Sequence, residues 1–358
     1  MKVPHGALVS AEHRRWNTAR PENPLDALGL RIILVEPPRD DADLSRTVHL
    51  RLPPRDGAPN SARNVAPMIQ PADSVDHVRR ELRRRVRRLV TGHENPPSHD
   101  PTRVDPGLFG PASAAWRVHA DPAMFVGGLR ALLLQAAHPL AMAGVADHSD
   151  YRHDPLGRLQ RTAGFVGTTT YGTTAEARAA ITRVRKVHAR VAGTAPDGRS
   201  YSASDPHLLA WVHVTEVDSF LVAYQRYAVR PLSDADADSY VREMAVVAKR
   251  LGVVAPPCSR AELHDTIEAF RPELHSGAQA RDAVKFLVFP PFPLAARPPY
   301  AIIASAAVSL LPGWARRILW LPVAPGADTL LVRPAATALL RVLGWALAPE
   351  LPSVAHTA

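Results

Sequence analysis

WRVHADPAMFVGGLRALLLQAAHPLAMAGVADHSDYRHDPLGRLQRTAGFVGTTTYGTTAEARAAITRVRKVHARVAGTAPDGRSY, residues 116–201, is the stretch that decides the fold. Asp121-Pro122 and Asp154-Pro155 each place a capping carboxylate before a proline whose fixed φ suits the first turn of a helix, and Asp205-Pro206 repeats the device just beyond. Thr173 and Glu176 form a capping box. Between these starts the apolar residues recur at helical spacing, so the chain reads as all-α. The first helix, from Pro122 towards Val145, is apolar nearly all round, with Arg130, Gln135 and His138 as its strongly polar members. Such a helix has no face to give to water and must be buried. Pro139 removes a backbone donor and predicts a bend or break near His138.

The next helix runs from Pro155 to about Tyr171 and carries Arg158, Arg161, Thr162 and Phe165 on one face. The helix opened by Thr173 is expected to end near Gly193, with Ile181, Val184, His188 and Val191 on its apolar stripe, so His188 faces the core. Asp197-Gly198 marks a turn in a small hairpin. The helix from Pro206 is mostly apolar, and Ser233 with Asp236 and Ser259 with Glu262 cap two outer helices.

Outward from this centre the chain is less informative. Residues 1–72 show no helical period and read as a disordered extension or a start assigned too early, leaving a single large helical domain over 73–350. From Asp73-Ser74 a helix is predicted with Val75, Val78, Leu82, Val86 and Leu89 on one face and Arg79, Arg80, Arg83, Arg84, Arg87 and Arg88 on the other, a solvated face or one for an anionic surface. No aromatics interleave with these arginines, which argues against single-stranded nucleic acid, and no nucleic-acid partner is expected. Tyr300 to Leu311 carries no charge, and a last helix from about Asp328 to Ala348 contains Arg333, Pro334 and Arg341; packing or peripheral membrane contact fits both better than a membrane span. The net charge of +9 attracts anionic partners without specifying one. The single cysteine, Cys258, excludes an internal disulfide, and the start lacks an apolar signal region, so a cytoplasmic location is expected.

Several blocks, in order, resemble a family of bacterial and fungal oxygenases that includes the latex clearing protein (rubber oxygenase) and the endoplasmic-reticulum-bound oxygenase MpaB. They are WRVHADP, GGLRALLLQAAHPLAMAGVADHS, DPLGRLQRT, the Ala175 to Gly193 segment, DGRSYSASDPHLLAWVHV and Leu232 to Gly252. The resemblance implies a globin-related helical core that binds haem b, with iron held by one axial histidine, here His188. It implies a distal side built from Arg158, Arg161 and Thr162, with the arginines also able to pair with the haem propionates. The reaction implied is oxidation by O2 of a hydrophobic small molecule, isoprenoid or lipid-like.

Two departures bear on the substrate. Where the rubber-cleaving relatives have a lysine, Arg161 stands, which stays protonated and has no lone pair for iron. Their acidic residue on the preceding helix has no counterpart in Leu140 to Val145; the nearest carboxylates, Asp147 and Asp150, suit a turn. A rival reading is a non-haem metal site drawn from His138, His148, His153 or the His213 and Glu216 pair, three apart on one helix face. Another is a non-catalytic helical lipid or isoprenoid carrier. Cys258 as a thiolate ligand has little behind it, since Pro256-Pro257-Cys258 reads as a surface linker.

Overall fold

A computed structural model describes residues 71–91, 104–149 and 154–348, and it is all-α apart from one short hairpin. In chain order α1 is Pro71–Thr91, α2 Ala114–Ala120, α3 Ala123–Ala136, α4 Pro139–His148, α5 Pro155–Tyr171 and α6 Thr174–His188. Strands β1 (Ala192–Thr194) and β2 (Ser200–Ser202) pair antiparallel, with Gly193 opposite Tyr201. Then come α7 Pro206–Tyr227, α8 Asp234–Leu251, α9 Arg260–Phe270, α10 Ala278–Val288, α11 Arg297–Ser309, α12 Gly313–Ile318 and α13 Arg333–Leu347. The described residues all fall in the unit that follows Met68. The disorder expected for 1–70 lies outside them, whereas Pro71 and Ala72 already belong to α1.

The caps form as the sequence directs. Asp121 accepts from Ala123 N at 2.8 Å, Asp154 from Gly157 N at 2.9 Å and Asp205 from His207 N at 2.9 Å. Both halves of the Thr173–Glu176 capping box are made. The apolar helix breaks at the predicted place: α3 and α4 meet at 105° across Ala137 and His138.

Helix α3 is the centre of the molecule, packed by α7, α11 and α10. Val126, Leu133 and Leu134 on it are fully buried. Gly127 lets α7 approach closely, because a Cβ there would lie 2.8 Å from Phe220 Cδ1 and 3.0 Å from the Ser219 carbonyl oxygen. One turn on, Arg130 is 2% exposed. Its Nη1 donates to the Asp218 carboxylate and to Ser219 Oγ, both at 2.7 Å, and its Nε donates to the Leu310 carbonyl at 3.0 Å. One buried cation therefore joins α3, α7 and the end of α11.

Some expectations change. Helix α6 ends at His188, short of Gly193, because the hairpin claims the chain: Val191 accepts from Ala203 N at 2.8 Å. Val75 and Val78 of α1 are exposed rather than buried. Nor is the arginine face wholly solvated, since Arg79 Nη2 donates to the Ala348 carbonyl at 3.0 Å and Arg83 Nε to that of Ala346 at 3.0 Å, closing the end of α13. The segment that opens α13, Asp328–Val332, is a π-helix.

Two helices end in the same hydrogen-bonded motif with different residues at its left-handed position. After α8, Gly252 has φ 124°, and Val253 N donates to the Ala248 carbonyl at 3.0 Å. After α12, Trp320 takes that position at φ 58°, with Leu321 N donating to the Arg316 carbonyl at 2.9 Å. A bulky side chain there costs roughly 1 kcal/mol against glycine, and burial of the Trp320 indole does not offset it, since that side chain is 77% exposed.

Two stability measurements test these contacts. Arg130→Ala leaves Asp218 and Ser219 facing a void and should cost about 3 kcal/mol or more in denaturant unfolding. Trp320→Gly should raise the stability of the free protein by up to about 1 kcal/mol, read as an increased Tm.

Candidate functional site

A polar set lies inside the apolar bundle. His119, on α2, has Nδ1 2.7 Å from Thr170 Oγ1 of α5 and Nε2 3.1 Å from the Tyr240 hydroxyl of α8. Its ring meets Phe220 of α7 edge-on with centroids 5.5 Å apart. Burial pushes the His119 pKa down to about 3, so the ring is neutral, donating through one nitrogen and accepting through the other. The chain Thr170–His119–Tyr240 thus ties three helices together through groups that keep no charge at neutral pH.

The same flank of α7 carries His213, Glu216 and Phe220 at helical spacing. Burial pushes Glu216 up to about 7 and His213 down to about 4. The Glu216 carboxyl has no hydrogen bond or ion pair among the described residues, and His213 Nε2 is buried without a partner. Tyr240 is held well above the ordinary phenol range by burial first and then by the charge of Glu216. Both Glu216 and His213 remain half-buried, and their surroundings penalise charge. An unpartnered carboxyl that exchanges a proton near neutrality is what an acid–base step requires.

His188 closes α6, which packs on α5 and α8. Its ring is half-buried, neutral because burial lowers its pKa, and has no hydrogen-bond partner among the described residues. Arg158, on α5, is half-buried and donates to Ser149 Oγ at 2.7 Å. Arg161 is exposed and pairs with Asp154 at 3.2 Å. Thr162 is exposed, its hydroxyl donating to the Arg158 carbonyl at 3.1 Å. The structure therefore collects Arg158, Arg161 and Thr162 near the start of α5 and puts His188 at the end of the neighbouring helix, its ring bonded to none of the three.

A second cluster joins the α3–α4 break to the first turn of α7. His207 Nε2 lies 2.9 Å from Glu273 Oε1, and His138 Nε2 lies 3.4 Å from Glu273 Oε2. The ligand atoms of the three lie within 4.8 Å of one another, a spacing a metal ion could bridge. His138 Nδ1, however, accepts from Ala141 N at 3.4 Å and caps α4. A neutral imidazole accepting at Nδ1 carries its proton on Nε2, so His138 turns an N–H towards Glu273 without completing a hydrogen bond and is not a ligand while that cap holds.

Other candidates have structural partners. His148 Nε2 lies 3.2 Å from the Ala192 carbonyl, and Asp147 accepts from the Tyr201 hydroxyl at 2.6 Å. Cys258 sits on the short segment before α9, its Sγ 3.6 Å from the Pro256 carbonyl oxygen. Asp150 and His153 lie outside the described residues.

Residues 116–346 match the catalytic domain of the ER-bound oxygenase mpaB/B'/rubber oxygenase family. The chain belongs to that family. No curated protein and no solved structure matches it. The match takes in α2 to α13 almost whole, so it covers His188, the α5 arginines and the interior set around Glu216. The chain is thus one of a family of oxygenases, whose chemistry is oxidation-reduction.

Helical spacing alone pairs His213 with Glu216, but it passes over His119, Thr170 and Tyr240. The signal that points to Glu216 is an acid amid the apolar residues of α7, two positions before the Asp218 that Arg130 neutralises.

The shifted groups predict a pH dependence of opposite signs. Between about 4.5 and about 7 the folded protein retains a proton on Glu216 that the unfolded chain has released, so stability falls as pH rises through this window. His213 acts oppositely, removing stability as pH falls from 6.5 towards about 4. Glu216→Gln should raise Tm above pH 7 and leave it unchanged at and below pH 4, measured by thermal melts across pH.

Proposed function

We propose that this protein is a haem b-dependent oxygenase that uses O2 on an apolar, isoprenoid or lipid-like substrate, with His188 as the residue that would hold the iron. The observation that carries the reading is the state of His188: a neutral, half-buried imidazole without a hydrogen bond of its own, inside the family's catalytic region. A free neutral ring nitrogen is the donor haem iron takes, and guanidinium groups on an adjacent helix suit propionates. The residues thus fit the group, with His188 to hold it and Arg158 and Arg161 to pair with its carboxylates. When bound, haem supplies the activation of dioxygen.

The chain's own residues do the rest. The α3–α7 core keeps bulk water from the interior. Arg158 and Thr162 orient from the α5 side. Glu216 is a buried carboxyl able to take or give a proton at Oε, and the uncharged Thr170–His119–Tyr240 chain fixes the helices around it. Arg161, permanently protonated and paired with Asp154, offers iron no lone pair. The protein works in the cytoplasm or at a membrane surface bordering it.

A second reading rests on the His138, His207 and Glu273 spacing: a non-haem metal bound there after the α4 cap opens. One set of measurements separates the two. Purified protein should show a Soret band, and His188→Ala should abolish it while leaving the helical circular dichroism unchanged. Iron without a Soret band, lost on Glu273→Gln, would favour the second reading.

A further inference from the structure

We propose that the C-terminal region, residues 283–348, is a surface that docks on a bilayer containing anionic phospholipid, lying in the interface without crossing it. The proposal deepens the membrane contact above and does not depend on haem.

The large apolar side chains that the fold leaves in water are concentrated in this region. Phe289, Leu294, Trp320, Leu330 and Leu331 are 71–77% exposed, and Trp345 is 42% exposed. Elsewhere among the described residues Leu159 is the one exposed leucine or aromatic side chain; the other large exposed apolar residues there are valines. The elements that carry or border Phe289, Leu294, Leu330, Leu331 and Trp345 pack on a common helix, α11: α10, the turn at Leu294–Ala296, the π-helix at Asp328–Val332 and α13. Along α13 the exposed positions Ala335, Ala338, Val342 and Trp345 form one apolar stripe at helical spacing, with Leu331 of the π-helix just before it.

Charge selects the partner. Between 283 and 348 the only acid is Asp328, against Lys285, Arg297, Arg316, Arg317, Arg333 and Arg341. Asp328 is taken by Arg226 at 3.5 Å, and none of the five arginines in the segment has a carboxylate partner among the described residues. Apolar side chains interspersed with unpaired cations match the two layers of an anionic membrane surface, acyl boundary and headgroup. Trp320 adds an independent observation: the backbone holds an indole in water at a position where glycine would be more stable, and an interface accommodates an indole well.

Asp328–Leu347 is long and apolar enough to span a bilayer, yet it carries Arg333 and Arg341 and is fastened to the globule by α11, α7 and α1, including the Arg79 and Arg83 bonds to its end. Those attachments keep it alongside the fold.

The test is sedimentation of the full chain with vesicles of phosphatidylcholine, with or without phosphatidylglycerol. At low salt the protein should pellet with the anionic vesicles, stay in solution with the neutral ones, and be released by high salt or alkaline carbonate. Arg316→Gln with Arg317→Gln should weaken binding by about thirtyfold. Leu330→Ser with Leu331→Ser should weaken it by roughly tenfold or more, with an unchanged melting profile. Trp320→Gly is the decisive variant, since it should bind more weakly while melting higher. Equal binding to both vesicle types, retention after carbonate, or wild-type affinity in these variants would overturn the proposal. So would a dimer that Leu330→Ser and Leu331→Ser disrupt in protein that ignores vesicles. A missing Soret band would sink the haem reading and leave this one standing.

Discussion

Everything in the molecule hangs on the approach of α3 to α7. An apolar helix with no polar face needs neighbours on every side, and the tightest of them, at Gly127 against Phe220 and Ser219, leaves no room for a methyl group. Arg130 fixes the contact with direction as well as closeness. Its guanidinium is satisfied only when Asp218, Ser219 and the Leu310 carbonyl are all in place, so α7 cannot slide along α3 without leaving a cation unpaired in the core.

That fixed α7 is also what makes the interior chemically unusual. Its Phe220 faces His119, and one turn back Glu216 and His213 project from the same flank into surroundings that penalise charge. The result is an interior with several polar groups and little charge. His119 is neutral between two hydroxyls, His213 is neutral, and Glu216 is the one group of this set whose charge state changes near physiological pH. Such a setting is poor in water and holds one group that can exchange a proton near neutrality.

The C-terminal helices follow a different rule. There the apolar residues exceed what the core can cover, and the backbone gives up stability at Trp320 to keep an indole outward. The arginines of α1 do not repel this region, because they meet the carbonyl end of α13, where a helix carries partial negative charge. A basic face that sequence alone assigns to solvent or to an anion thus has a third partner, a helix terminus.

Local chemistry is enough to determine the helices. Asp before Pro, the Thr173–Glu176 box and Pro139 act within a few residues through backbone groups that must find partners, so the helix starts and the α3–α4 break can be read from the residues themselves. The family blocks are legible for the same reason, being contiguous. Which distant residues meet is not legible in this way. Helical spacing pairs His213 with Glu216, but that Glu216 goes unpaired, that His119 bridges Thr170 and Tyr240, and that Glu273 joins His138 to His207 depends on helices far apart in the chain. Helix ends are hidden likewise: α6 stops at His188 because a hairpin pairing Ala192 with Ser202 outweighs three more residues of helical stripe. Local capping acts while the chain is still open, whereas desolvation and cross-helix hydrogen bonds exist only once it has closed, and only the tertiary structure decided those.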